Sequence, residues 1–385
     1  ADTLSYRATK WIRRKPFAAA AALFVSILLI GGSIGASSWY RQYRLGKAED
    51  LLSRAQYLMQ QDARTTSSSA LFKGIPQNYA DSMELLQQAV SLVPDHSKSW
   101  MTLAEIAELS MEFDGKGSPV LLELGSHAAT RAVETDSTDA KAREIRAVIR
   151  TRQNDLTGAL DDYAKAVELN PRSPYAVRGY STLLHRNGDL PAALQVIDRA
   201  LAGLPDIHNR DPRAVGVRGR AILLVHRGML LHLSGKSDEA LPNLNEAMDL
   251  DGSYRLTYWA AGLAHEAVGD SAQAESNFRM GVQLAPQDPR SVSGLAHVLA
   301  RSGKKKEATE IEARLQSFKE NDRPVACELA IVRSGFDDAK GTFQWLDQID
   351  EHTKLTTCLS DPRLQSLQSD IRFQQQLQRA ESILR

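Results

Sequence analysis

Hydrophobic residues are distributed along this chain in two ways. From Phe17 to Ala36 the sequence is FAAAAALFVSILLIGGSIGA, twenty residues without a charge. A helix rising 1.5 Å per residue would carry that stretch across roughly 30 Å, the hydrocarbon thickness of a bilayer. Trp39 and Tyr40 follow it, the residue types that settle at a membrane interface. Arg7, Lys10, Arg13, Arg14 and Lys15 precede it, while Arg41, Arg44 and Lys47 come after. The pattern predicts a transmembrane helix over 17–40. Its basic flank, residues 1–16, would lie in the cytoplasm and the rest of the chain on the far side. Competing readings are a secretory signal cleaved near Ala36 and a buried helix of a soluble domain. Gly31 and Gly35 have the spacing that lets two membrane helices approach closely. From Tyr43 onward apolar and polar positions alternate as in paired amphipathic helices.

Those helices share a register. Ala159, Tyr163, Ala166 and Pro171 recur 34 residues later as Ala193, Ile197, Ala200 and Pro205. Ala274, Phe278, Gly281 and Pro286 form a third copy, and Ser82, Leu86, Ala89 and Pro94 an early one. Ala240, Leu244 and Ala247 fit with Gly252 in place of proline. Gly125, Ala129 and Ala132, then Ala308 with Leu315, then Ala339, Phe343 and Leu346, are degenerate copies. Small residues let helices touch, the bulky one fills the gap between them, and proline opens the next unit. Gly188, Gly235, Gly269 and Gly303 fall where a turn joins the two helices of a unit. In this frame the chain resembles the tetratricopeptide family over roughly 43–350. The resemblance implies an all-α fold: a right-handed solenoid of about eight helix pairs, followed by C-terminal capping helices over 351–385. Extra residues near 63–77, 113–120 and 206–215 predict loops.

Composition narrows the chemistry. Basic and acidic side chains number 47 each, which argues against a nucleic-acid surface. Cys327 and Cys358 form no CxxC, so no zinc ribbon or dithiol redox site is expected. Two free thiols are the simpler expectation, and one disulfide the alternative if this end lies in an oxidising compartment. Gly235-Lys236-Ser237 would need glycine at position 230 to be a phosphate loop, and Leu230 stands there. His265-Glu266 would need histidine at 269 to make a zinc helix, and finds Gly269. No metal, cofactor or catalytic set is expected.

In tetratricopeptide proteins the first helix of each unit lines a groove. On this register the resemblance points to Tyr175, Arg178, Thr182 and His185, to Leu256, Trp259 and Glu266, and to Arg290 and His297. Arg178 and Trp259 are the favoured anchors, Trp and Arg being common at binding hot spots; for Trp259 the alternative is inter-helix core. The implied partner is a protein or peptide, with a second copy of the chain as one option.

A narrower resemblance rests on Asp2-Thr3-Leu4-Ser5-Tyr6-Arg7 and Lys10-Trp11-Ile12-Arg13-Arg14, and on Ser360-Asp361-Pro362-Arg363-Leu364 and Ser369-Asp370-Ile371-Arg372-Phe373. These look like the juxtamembrane segment and tail of bacterial transmembrane serine/threonine kinases. No kinase motif set accompanies them: His185-Arg186-Asn187 falls in a repeat turn, and Phe113-Asp114-Gly115 in an insertion. The expectation is a scaffold anchored in a bacterial inner membrane with its repeats outside the cytoplasm. The alternatives are the sensory half of a receptor kinase and a signal-cleaved periplasmic repeat protein.

Overall fold

The computed structural model describes residues 15–65, 75–114, 118–204, 215–320, 325–349 and 352–382. The first juxtamembrane motifs and most of the three insertions lie outside them. Eighteen α-helices follow one another, with no strand among the described residues. They are α1 (Pro16–Thr65), α2 (Gln77–Leu92), α3 (Ser97–Asp114), α4 (Pro119–Thr135), α5 (Ala140–Arg152) and α6 (Leu156–Leu169). Next come α7 (Pro174–Arg186), α8 (Leu190–Gly203), α9 (Val215–Leu233), α10 (Ser237–Leu250), α11 (Arg255–Ala267) and α12 (Ser271–Leu284). Last are α13 (Pro289–Arg301), α14 (Lys305–Glu320), α15 (Ala326–Gly335), α16 (Ala339–Leu346), α17 (His352–Leu359) and α18 (Ile371–Ser382), with a 3₁₀ turn at Pro362–Leu367. Each odd-numbered helix packs on the even one after it, and each hairpin on the next. The result is an α-solenoid of the tetratricopeptide type.

Local chemistry places the hairpins. Gly188, Gly235, Gly269 and Gly303 take φ of +84°, +77°, +82° and +78° at their turns, a region closed to most side chains. Asn154 and Asp337 do the same work elsewhere at φ 62° and 58°. Asp155, Asp189, Asp270 and Asp338 then cap the second helix of their hairpins by accepting from a backbone N–H. Small residues set the spacing. Phe278 is fully buried, and a Cβ on Gly262 or Gly294 would come within 2.6 or 2.4 Å of its ring. One phenylalanine thus locks α12 between α11 and α13. Tyr163 against Gly179 and Leu244 against Gly228 repeat the device.

The first helix differs from its expected boundary. α1 runs unbroken from Pro16 to Thr65, so residues 17–40 continue directly into the first hairpin, where Ala48, Leu51, Leu52 and Ala55 are buried. The side chains of 18–23 and 27–34, Gly31 included, lie outside the described residues. A Cβ on Gly35 would meet nothing within 4 Å. Among the described residues no helix is long and apolar enough to cross a membrane.

The cysteines require a correction. Cys327 and Cys358 are not free thiols but a disulfide, with Cα atoms 5.7 Å apart. Thirty-one residues separate them, so sequence spacing held no trace of the pairing; the return of α17 onto α15 makes it.

Candidate functional site

The odd-numbered helices α7, α9, α11 and α13 present one face to a cavity of about 990 Å³. Arg178, Thr182, His185 and Arg186 come from α7, and Ile222, Val225, His226, Met229, Leu230 and Leu233 from α9. Tyr254, Leu256 and Trp259 come from the start of α11, and Arg290 from α13. Asn154 and Leu156 close one side. Thr356, Thr357 and Ser360, at the end of α17, close another. The volume lies within the range of small-molecule and short-peptide sites.

The electrostatics of this wall are one-sided. It holds three arginines and not one carboxylate. Arg178 stacks on Tyr175 at 5.5 Å, and Arg290 on Trp259 at 5.3 Å, which steadies each guanidinium without neutralising it. Arg290 also reaches Asp288 at 3.1 Å. Arg178 and Arg186 have no ion pair among the described residues.

His226 sits beneath the arginines. Burial, then the charge of Arg178 and the proximity of His185, push its pKa down to about 3. It is therefore neutral at physiological pH. Thr182 Oγ1 gives its proton to the Arg178 carbonyl at 2.7 Å. It therefore accepts from His226 Nε2–H at 3.3 Å. The indole N–H of Trp259 is buried with no hydrogen-bond partner.

A second polar cluster lies beside this one. His297 Nδ1 and Glu266 Oε1 are 2.6 Å apart. The tail turns onto them: Arg363 holds Asp361 through two bonds of 2.9 and 2.7 Å. Burial opposes the charge of Asp361, yet Arg363 holds that carboxyl below the usual range. Burial pushes the Glu328 carboxyl up in the same neighbourhood.

The profile of the tetratricopeptide repeat family matches residues 123–174 and 149–206. Residues 123–206 are tetratricopeptide repeats. A TPR repeat-containing protein of Methanocaldococcus jannaschii is 28% identical over 155 residues, 40% of this chain and 26% of its own length. This chain thus spans about a quarter of that relative. Tetratricopeptide repeat protein 36 of Bos taurus is 29% identical over 146 residues, 36% of this chain and 72% of its own. Among solved structures, a tetratricopeptide repeat protein from Parabacteroides merdae aligns over 71% of this chain and 93% of its own, with 17% identity and a TM-score of 0.47.

Of the nine groove positions expected from the tetratricopeptide register, Arg178, Thr182, His185, Leu256, Trp259 and Arg290 line the one cavity. Tyr175 stands behind Arg178 as its stacking surface. Glu266 and His297 do not line it; they are spent on each other, and the tail residue Arg363 adds its charge beside Glu266. Trp259 is cavity wall rather than closed inter-helix core. The α9 residues were missed because the insertion before that helix breaks the 34-residue count. Had the frame been restarted from the turn at Gly235, His226 and Met229 would have been found. The α17 residues carry no repeat signal at all.

Proposed function

We propose that this chain is a scaffold that holds a protein partner in the cavity of its repeat array. The observation that carries the reading is convergence: four successive first helices and the returning tail contribute to a single concave site with aromatic and arginine anchors. Tetratricopeptide proteins act as interaction scaffolds, which supports it. The test is co-purification from native membranes in mild detergent, with companions identified by mass spectrometry. Leu256→Trp fills the cavity whatever the charge of its occupant. Loss of a stoichiometric companion in that variant, with helicity and melting intact, is the expected result. A companion retained at full yield would remove the cavity from the partner site.

The scaffold is further proposed to be anchored in the membrane through 17–40, with the repeats outside the cytoplasm. The uncharged stretch and the basic residues before it support this. Phe17, Phe24, Val25, Trp39 and Tyr40 are exposed, with no protein core laid over them. The Cys327–Cys358 disulfide suits an oxidising compartment. Labelling of accessible sites on intact and opened cells would decide sidedness. A second reading, the sensory half of a receptor kinase, gains interest from the unbroken α1, which would couple the membrane segment rigidly to the first hairpin. Sequence upstream of Ala1 encoding a kinase domain would favour it. A signal-cleaved form would instead lack 17–36 by intact mass.

A further inference from the structure

We infer that the occupant of the cavity is an extended peptide segment carrying acidic side chains on both sides of a large apolar one. The inference rests on the proposed partner role of the cavity and adds the chemistry of the partner. Its ground is the distribution of charge and apolar surface. Arg178 on α7 and Arg290 on α13 stand at the outer pair of the four helices. Between them α9 and α11 supply Met229 and Leu256, an apolar floor. The wall contains no carboxylate to answer the arginines. A guanidinium held on an aromatic face presents its N–H fork outward, the geometry that carboxylates accept bidentately. An occupant therefore gains most by placing an anion at each end and an apolar side chain in the middle.

The environment also selects against the opposite charge. His226 is held neutral beneath Arg178 by burial and by that arginine, so the floor adds no carboxylate that could receive a basic peptide. A Lys- or Arg-bearing segment would face Arg178 and Arg186 with no compensating group, and like charges in a partly desolvated site are costly. Partner specificity here comes from repulsion of basic segments as much as from attraction of acidic ones.

The experiment uses the full chain in detergent and a fluorescein-labelled hexapeptide with glutamate at each end and leucine and phenylalanine between. Its twin has glutamine at both ends. Fluorescence anisotropy should show saturable binding of the acidic peptide and at least tenfold weaker binding of the twin. Arg178→Gln and Arg290→Gln should each weaken the acidic peptide severalfold and leave the twin unchanged, and Arg178→Lys should restore part of the loss. Both arginines are solvent-accessible, so thermal melts of the variants should overlay the parent. Equal binding of peptide and twin would overturn the inference. So would absence of peptide binding in a chain that keeps a companion sensitive to Leu256→Trp; the cavity would then still be the partner site, with another chemistry. Binding of dodecyl phosphate at the cavity without binding of the peptide would replace the peptide with an amphiphilic anion, and so also overturn it.

Discussion

Two groups of arginines on neighbouring hairpins have opposite fates. In the hairpin of α5 and α6, Arg143, Arg146 and Arg150 converge on one buried carboxylate, Asp162, at 3.4, 2.6 and 2.8 Å. Arg146 grips it with two parallel bonds. One hairpin further, Arg178 and Arg186 face a cavity with no carboxylate on its wall. The residue type is the same and so is the position on a first helix. What differs is the second helix: α6 offers Asp162 inward, whereas α8 offers Ile197 and Ala200 to the core. An arginine answered within its own hairpin fixes structure; one left unanswered beside a cavity is available to something else.

The largest effect that separates the groups belongs to Asp162. Asp162→Ala would leave three guanidinium groups crowded against a 2% exposed position. Removing one partner of a buried ionic cluster costs about 3–5 kcal/mol. A lower denaturant midpoint is expected, with acidic-peptide binding unchanged in protein still folded. If binding fell with stability, the two arginine groups would be one coupled system.

Next in size is the disulfide. Cys327 and Cys358 close a loop of 31 residues, for which chain entropy gives roughly 3–4 kcal/mol. Cys358→Ser should lower the melting temperature and release α17, whose end supplies Thr356, Thr357 and Ser360 to the cavity wall. Hydrogen exchange should rise in α17 and α18 and stay level in α5 and α6. Uniform exchange throughout would mean that the tail is held by its apolar core alone, around Leu355, Leu364 and Phe373.

How much of this was legible follows from the same contrast. The repeat frame was readable because helix packing repeats every 34 residues: Ala159 and Ala193 are fully buried at equivalent places, and the four turn glycines have positive φ. Arg178, Trp259 and Arg290 were readable because the frame carries face as well as period. The closure of the site was not. α17 returns to the cavity through the turn after α16 and the contact of Cys358 with Cys327, and neither is periodic. The pairing of Glu266 with His297 escaped for a related reason. Register assigns a residue to a face, but whether a neighbour on the next helix consumes it depends on 31 residues of intervening chain.

A smaller, pH-dependent effect marks the cavity hairpins. The His226 imidazole is held at about 3, mainly by burial and then by Arg178 and His185. In the unfolded chain it would take a proton near 6.5. As pH falls below 6.5 the unfolded state therefore binds the extra proton and the folded state does not. Stability drops by at most about 1.4 kcal/mol per unit, or roughly 2 kcal/mol by pH 5. His232 is lowered too, again chiefly by burial, and adds in the same direction. His226→Gln should flatten the slope of melting temperature against pH between 6.5 and 5. An unchanged slope would place the acid sensitivity elsewhere.

The smallest expected effect is the sharpest. Arg178→Gln combined with Arg186→Gln removes two charges that are exposed and have no ion pair among the described residues. Exposed substitutions away from caps, cores and buried pairs change stability by within about 0.5 kcal/mol. The double variant should therefore unfold at the parent's denaturant midpoint, or slightly above it, because repulsion between the two arginines is relieved. A loss approaching that of Asp162→Ala would mean that these arginines are structural after all. Stability held level while acidic-peptide binding collapses is the signature of side chains kept for a partner, because the folded chain alone gains nothing from them.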